Sequence, residues 1–313
     1  MLGALAADFA AISGTVHTIL DPHLPLSALE ASFPANVVVH RATREIPLWT
    51  QWIQAARGCD AALVVAPETG GMLAQSVAML HAAGLEMLNG FGDFLRCASD
   101  KWETARLFHA AGVPHPPTWL GTAIPRGPMP PASRWVVKPR DGCGTIDVRL
   151  FSDLHDAIKA VEGSSDLLQP WVEGRAISIS AIVVGNEITL LPAVSQDITL
   201  PRLSYQGGAG PLDDQSQQRA SALAQAALRA LPRSIRGIVG FDLVLADLPA
   251  EDCVIEVNPR VTTSYIGLRK IIAGNLALRI VGLDRSPVQC TVLRDSVRWT
   301  PEGDVWIEAG VGD

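Results

Sequence analysis

Residues 240–260 read GFDLVLADLPAEDCVIEVNPR, two short apolar runs joined by an acidic, proline-bearing turn. Strand-length runs with a turn between them make a hairpin. Side chains repeat every two residues along a strand, so Glu256 and Asn258 share one face, and a facing strand can bring Asp242 beside them. Hard divalent cations need oxygen ligands, and Mg²⁺ usually takes one or two carboxylates from protein while phosphates and water fill its other positions. Asp242, Glu256 and Asn258 are therefore candidate ligands for Mg²⁺, or for Mn²⁺ in its place. Arg260 follows directly and suits a phosphate oxygen. Acidic residues also flank many Val/Ile-rich strands as plain solvated turns, and the hairpin alone does not separate the two readings.

Upstream lies Trp135-Val136-Val137-Lys138-Pro139, followed by Arg140-Asp141-Gly142-Cys143-Gly144-Thr145. A lysine emerging from an apolar strand must place its ammonium in a pocket or at a rim, where a phosphate is a natural partner. Gly142 and Gly144 permit positive φ and let backbone N–H groups approach an anion. No G-x-x-x-x-G-K-[ST] loop occurs, and the segment is not a dinucleotide-binding fingerprint. A strand followed by a glycine turn is also an ordinary hairpin, so this reading needs the first one.

With 313 residues the chain is longer than one typical domain. A hydrophobic share of 48% with only 18% charged residues fits well-filled cores and excludes a disordered chain. The net charge of −7, without basic runs, implies neither a nucleic-acid nor a membrane partner. Five separated cysteines form no CxxC pair and the seven histidines no zinc pattern, so a reduced, cytoplasmic setting is expected. No apolar run reaches membrane-spanning length, and Asp8 interrupts the first apolar stretch.

The first region reads as α/β, a small parallel sheet. Leu2, Leu5, Phe9 and Ile12 recur at helical spacing, 36–40 and 61–66 read as strands, and 48–56 and 76–83 as helices, the last closed by Gly84. The chain opens on a helix where such a lobe usually opens on a strand, so the first strand is either missing or replaced. From Ser99 the pattern changes. Ser99 or Asp100 caps a helix, with Glu103 as the reciprocal partner of Asp100, and Gly112 with Pro114 stops it. Strands are expected at 134–139, 145–151, 167–171, 176–184 and 187–194, with a helix over 152–161 capped by Ser152 and another over 214–230.

Lys101 at a helix start, Lys138 before a glycine loop, Gln169-Pro170-Trp171-Val172-Glu173-Gly174 before a long strand, Asp242, and Glu256-x-Asn258-Pro259-Arg260 together resemble the ATP-grasp superfamily. The resemblance covers roughly residues 99–270. It implies α/β and α+β architecture: an N-terminal α/β lobe (1–98), a central lobe (99–172) and a C-terminal lobe carrying the metal site (173–285), with 286–313 a hairpin or tail. ATP would lie between the two α+β lobes. Lys101, Lys138, Gly142 and Gly144 would meet its phosphates, Gln169, Trp171 and Val172 its adenine, and Asp242, Glu256 and Asn258 two metal ions. Lys138 and Arg260 would be the catalytic cations. Many members place a ribose-binding glutamate where this chain has Ala176, and Glu173 is a candidate substitute.

Residues 258–268, NPRVTTSYIGL, with 205–211, YQGGAGP, resemble the tyramine glutamate ligase group of methanofuran biosynthesis and its methylotroph relatives. That resemblance implies ATP-dependent joining of a carboxylate to an amine, glutamate to an aromatic amine or amino acid, with small molecules as partners and a homodimer as one permitted assembly. Thr262, Ser264 and Tyr265 would then face substrate; a helix cap and a core tyrosine are the competing reading. Tyr205, Gly207 and Gly208 read as part of a mobile lid, or as a plain surface loop. Ser178, Ser180 and Ser195 are either substrate-facing or half-buried strand positions. The alternatives to this ligase are another ATP-grasp peptide ligase and a non-catalytic ATP sensor.

Overall fold

The computed structural model describes residues 1–12, 14–21, 23, 33–291 and 296–308. The N-terminal lobe does possess its opening strand. Val16–Leu20 pairs in parallel with Val37–Arg41. The helix Leu2–Ala10 precedes it and docks on the far end of the chain: Asp8 accepts from Tyr265 Oη at 2.8 Å and Arg269 Nε at 2.9 Å. A second parallel pair joins Ala61–Ala62 to Glu86–Met87. The expected strand over 61–66 stops early because the Asn89 side chain takes the place of a neighbouring strand, accepting from Val64 N at 2.7 Å and donating to Val64 O at 2.9 Å. The following helix begins at Met72, before Ser76, because Gly70 and Gly71 turn the chain at φ 62° and 70°.

In the central region an antiparallel sheet runs in the order Trp119–Leu120, Asp166–Pro170, Trp135–Pro139, Arg149–Phe151. The last strand is shorter than expected. Thr145 and Asp147 adopt φ 62° and 60°, which a ladder does not accommodate, so 140–148 is a loop. Asp100 caps Lys101–Ala111 by accepting from Trp102 N and Glu103 N. Glu103 does not reach back to complete a capping box; its carboxylate binds Arg106 at 3.2 Å. The helix Leu154–Lys159 is capped by Asp153 and not by Ser152.

The C-terminal region carries the largest sheet, Glu187–Leu190, Arg175–Val184, Gly237–Leu245, Cys253–Asn258. Val194–Ser195 pairs separately with Arg175–Val184, because Pro192 has no N–H to continue a strand over 187–194. The helix Asp214–Ala230 lays Ala220, Ala224 and Ala227 on one face of the sheet. That core continues into the N-terminal lobe through Leu73, Val77 and Phe94. Residues 296–308 form a hairpin, Ser296–Trp299 with Val305–Glu308, joined to Ser204–Gly210 and beyond it to Asp197–Thr199.

The lid expected over 205–210 is thus a strand paired on both sides. Its glycines serve close packing. A Cβ on Gly207 would collide with the Trp299 carbonyl oxygen, and one on Gly208 with that of Ser195. Among the described residues no helix is long and apolar enough to cross a membrane, and all five cysteines are free thiols.

Candidate active site

One cleft of about 310 Å³ runs between the central and C-terminal sheets. Small-ligand pockets occupy roughly 300–1,000 Å³, and this cleft lies at the lower end of that range. Its walls include Lys101, Lys138, Gly142, Gly144, Gln169, Trp171, Val172, Tyr205, Asp242, Glu256, Asn258, Arg260, Thr262 and Ser264.

The carboxylate wall follows from strand register. Asp242 sits directly opposite Glu256 in the ladder, and Gly240 opposite Asn258, so the three side chains share a face. A bulge follows at Asp242/Leu243. Asn258 Nδ2 donates to Asp242 Oδ2 at 2.9 Å, and Gln196 Nε2 donates to Oδ1 at 2.8 Å. Asp242, half-buried at the cleft floor, has its pKa raised to about 6 by desolvation and by the charge of Glu256, against the pull of those two amides. Two carboxylates with an amide oxygen beside them are hard donors, of the kind a divalent cation such as Mg²⁺ requires. No group of three or more His, Cys, Asp or Glu side chains able to hold a metal occurs among the described residues. These residues therefore fit Mg²⁺ only if phosphate oxygens complete its shell.

Facing this wall are the cations. Lys138 is 5% exposed on its strand, and burial pushes its pKa down to about 8, with Glu256 opposing that shift. Lys101 Nζ lies 3.2 Å from Glu256 Oε1 and donates to the Gly142 carbonyl oxygen, which ties the glycine loop to the strand Cys253–Asn258. Gly144, at φ 66°, leaves open space where a Cβ would be. Arg260 Nε donates to Glu68 Oε1 at 2.9 Å.

At the other end, Gln169 Nε2 donates to Thr118 Oγ1 at 2.6 Å, and Arg134 stacks over Trp171 at 4.9 Å from the ring centroid. Glu173 does not take the place left by Ala176. Its exposed carboxylate is bound by Arg134 at 2.9 Å and Ser133 at 2.8 Å and is not part of the cleft wall. Ala176 itself does line the cleft, next to Ser178, whose buried Oγ has no partner among the described residues.

Several expected substrate residues lie elsewhere. Tyr265 is fully buried, with its hydroxyl on Asp8, and burial next to that carboxylate raises its pKa. Gly207 and Gly208 pack against Trp299 and Ser195 outside the cleft. Tyr205 remains on the wall, its hydroxyl accepting from Trp299 Nε1 at 3.0 Å and its pKa pushed up to about 12 by burial. Ser195 lines the cleft while its hydroxyl is engaged with the Ala209 backbone, and Ser180 is buried outside the lining. Sequence reasoning missed Gln196, which carries no local signal, and Glu68. The latter had one: it follows the carboxyl end of a parallel strand, where α/β sheets place ligand-binding loops.

The ATP-grasp domain model matches residues 98–264, more than half of the chain, and a pre-ATP-grasp domain model matches residues 15–91. The chain belongs to the ATP-grasp family. It is similar to the tyramine–L-glutamate ligase of Methanocaldococcus fervens, 27% identical over 210 residues that make up 67% of this chain and 62% of that relative's length. The chain thus spans about three fifths of that relative. Among solved structures, N5-carboxyaminoimidazole ribonucleotide synthetase of Thermus thermophilus superposes with a TM-score of 0.69 at 18% identity, covering 96% of this chain and 80% of that one. Biotin carboxylase of Campylobacter jejuni gives 0.73 at 13% identity, covering 94% and 72%. These likenesses establish a shared fold.

Proposed function

We propose that this chain is an ADP-forming carboxylate–amine ligase that uses ATP and makes an amide through an acyl phosphate. The observation that carries the reading is the convergence of Lys101, Lys138, Asp242, Glu256 and Arg260 on one cleft. A carboxylate is inert to amines, so its oxygen first attacks the γ-phosphorus of ATP, the β,γ bond breaks and ADP leaves. The amine then attacks the acyl carbon, the carbon–oxygen bond to phosphate breaks, and the amine loses a proton.

Lys138 and Lys101 would hold phosphate oxygens and offset the repulsion between two anions that must meet. Arg260 would meet the charge that develops on the transferring phosphoryl group and then on the tetrahedral oxyanion. Asp242, Glu256 and Asn258 would hold Mg²⁺, two ions in the fullest form of the reading, and bound there the metal neutralises β- and γ-phosphate charge. Gln169, Trp171 and Val172 would receive the base, and Tyr205, Thr262 and Ser264 the second substrate.

For substrates, the likeness to tyramine–L-glutamate ligase supports glutamate as the carboxylate and an aromatic amine or amino acid as acceptor, in a methanofuran-type cofactor route. Incubating the protein with ATP, Mg²⁺, glutamate and a panel of amines tests it. The expected result is ADP and phosphate in equal amounts, dependent on both substrates, with the amide seen by mass spectrometry; AMP and pyrophosphate would overturn the mechanism. Ala176 favours a second reading, an ATP sensor without turnover, which tight ATP binding with no ADP release on any panel member would support.

A further inference from the structure

Glu68 is a buried carboxylate beside this cleft that the chemistry above does not use. It stands in Ala66-Pro67-Glu68-Thr69-Gly70-Gly71, between the strand Ala61–Ala62 and the helix Met72–Ala82 of the N-terminal lobe. It is 5% exposed. One oxygen accepts from Arg260 Nε at 2.9 Å, and the other, Oε2, has no hydrogen-bond partner among the described residues. A buried ion pair is weak evidence for stability, and one that leaves an oxygen unsatisfied is weaker still, since apolar side chains of similar volume usually serve a core better. The pair is better explained by what it does to the arginine.

Arg260 is held at two points. Nε is taken by Glu68, and Nη1 donates to the Val261 carbonyl oxygen at 3.3 Å, so the plane of the guanidinium is set while the residue lines the cleft. The same N-terminal turn also holds the glycine loop, through Gly70 N–H to Asp141 Oδ2 at 3.0 Å. We propose that Glu68 is the positioning residue for Arg260, and that through the turn 68–71 the N-terminal lobe aligns the catalytic guanidinium with the loop across the cleft. This rests on the ligase reading of Arg260. A charge already oriented where negative charge develops needs no reorganisation during the reaction, and misplacement by about 1 Å costs on the order of 10²-fold in rate.

The test is a double-mutant cycle on the full chain with Glu68→Gln, Arg260→Lys and the double variant, each normalised to its ATP-binding sites and checked by thermal melting. Glu68→Gln keeps the shape and one acceptor but loses the charge. It is expected to lower kcat about 10-fold or more while the KM for ATP stays within about 2-fold, and the double variant should be no slower than Arg260→Lys alone to within about 2-fold, as for residues acting as a unit. Glu68→Asp, which keeps the charge, should recover part of the lost rate. Unchanged turnover in Glu68→Gln, or losses that multiply in the double variant, would overturn the proposal. Unchanged turnover in Arg260→Lys would remove the arginine from the chemistry and this proposal with it, while continued ADP and amide formation would leave the ligase reading standing. If Glu68→Gln melts early, the Glu68→Asp variant alone decides: a rate equal to wild type despite the displaced carboxylate would also overturn it.

Discussion

The two sides of the cleft are built on opposite principles. Asp242, Glu256 and Asn258 stand on paired strands whose backbones are bonded to neighbours, and amides from Asn258 and Gln196 fix the Asp242 carboxylate before any ligand arrives. Across from them the loop 140–148 has no ladder. Ile146 is 65% exposed, Thr145 and Asp147 hold left-handed conformations, and the loop is tied down by Lys101 to the Gly142 carbonyl and by Gly70 to Asp141. Fixed charge thus resides where the backbone cannot move, and adaptability where little is buried. On the proposed reading, closure over a phosphate would fall to this loop; Ser204–Gly210 is held in place by strand pairing on both sides.

Removing charge held on paired strands, from either side of the cleft, should have the largest effect. Glu256→Gln and Lys138→Ala are each expected to lower kcat by about 10²–10³-fold with little change in melting temperature, since removing one preorganised electrostatic group commonly costs that much. Steady-state kinetics with ADP detection decides, and near wild-type rates in either variant would detach these residues from the chemistry. The loop comes next. Gly144→Val must force a β-branched residue to φ 66°, at about 1–2 kcal/mol, and should raise the KM for ATP roughly 10-fold while leaving the fold intact. Gly208→Val should do the reverse. Its Cβ has no room, so overpacking of about 1–3 kcal/mol should appear as a lower melting temperature, with ADP and amide still formed one to one.

Smaller effects sharpen the contrast. Ala176→Glu places a carboxylate beside Ser178 on the cleft wall, and if it reaches the ribose hydroxyls ATP binds about 10-fold more tightly, near the lower end of what hydrogen bonds to charged groups contribute. Calorimetry with ATP and 2′-deoxy-ATP reads this, the gain being absent if ribose lies elsewhere. The smallest change is with pH. Lys138 is charged below its pKa of about 8 and neutral above it, so phosphate affinity in the free protein falls as pH rises through 8. Lys138→Arg keeps its charge and should flatten that profile between about pH 7 and 9.

The same contrast explains what the sequence disclosed. Strand alternation placed Glu256 and Asn258 on one face without any knowledge of the fold, while Asp242 joined them only through the register that sets it opposite Glu256. The long helix over 214–230 was equally legible from its composition. Glycines were not. Those at 142 and 144 flank an open loop, while those at 207 and 208 admit the Trp299 and Ser195 backbones, and only the tertiary neighbours distinguish the two uses. Tyr265 looked like a substrate residue because its partner, Asp8, lies 257 positions earlier in the chain. Glu68 was passed over for the same reason, 192 positions from Arg260.

The measurement that reaches the central claim most directly follows oxygen. Glutamate labelled with ¹⁸O in its carboxylates, incubated with the protein, ATP, Mg²⁺ and the amine that supports ADP release, should transfer one labelled oxygen to each phosphate formed, because the carboxylate oxygen that attacks the γ-phosphorus leaves with it. Phosphate that carries the label one to one with amide is the result expected of this cleft. Unlabelled phosphate alongside amide, or label found in AMP, would contradict an acyl phosphate and with it the catalytic roles of Lys138, Glu256 and Arg260.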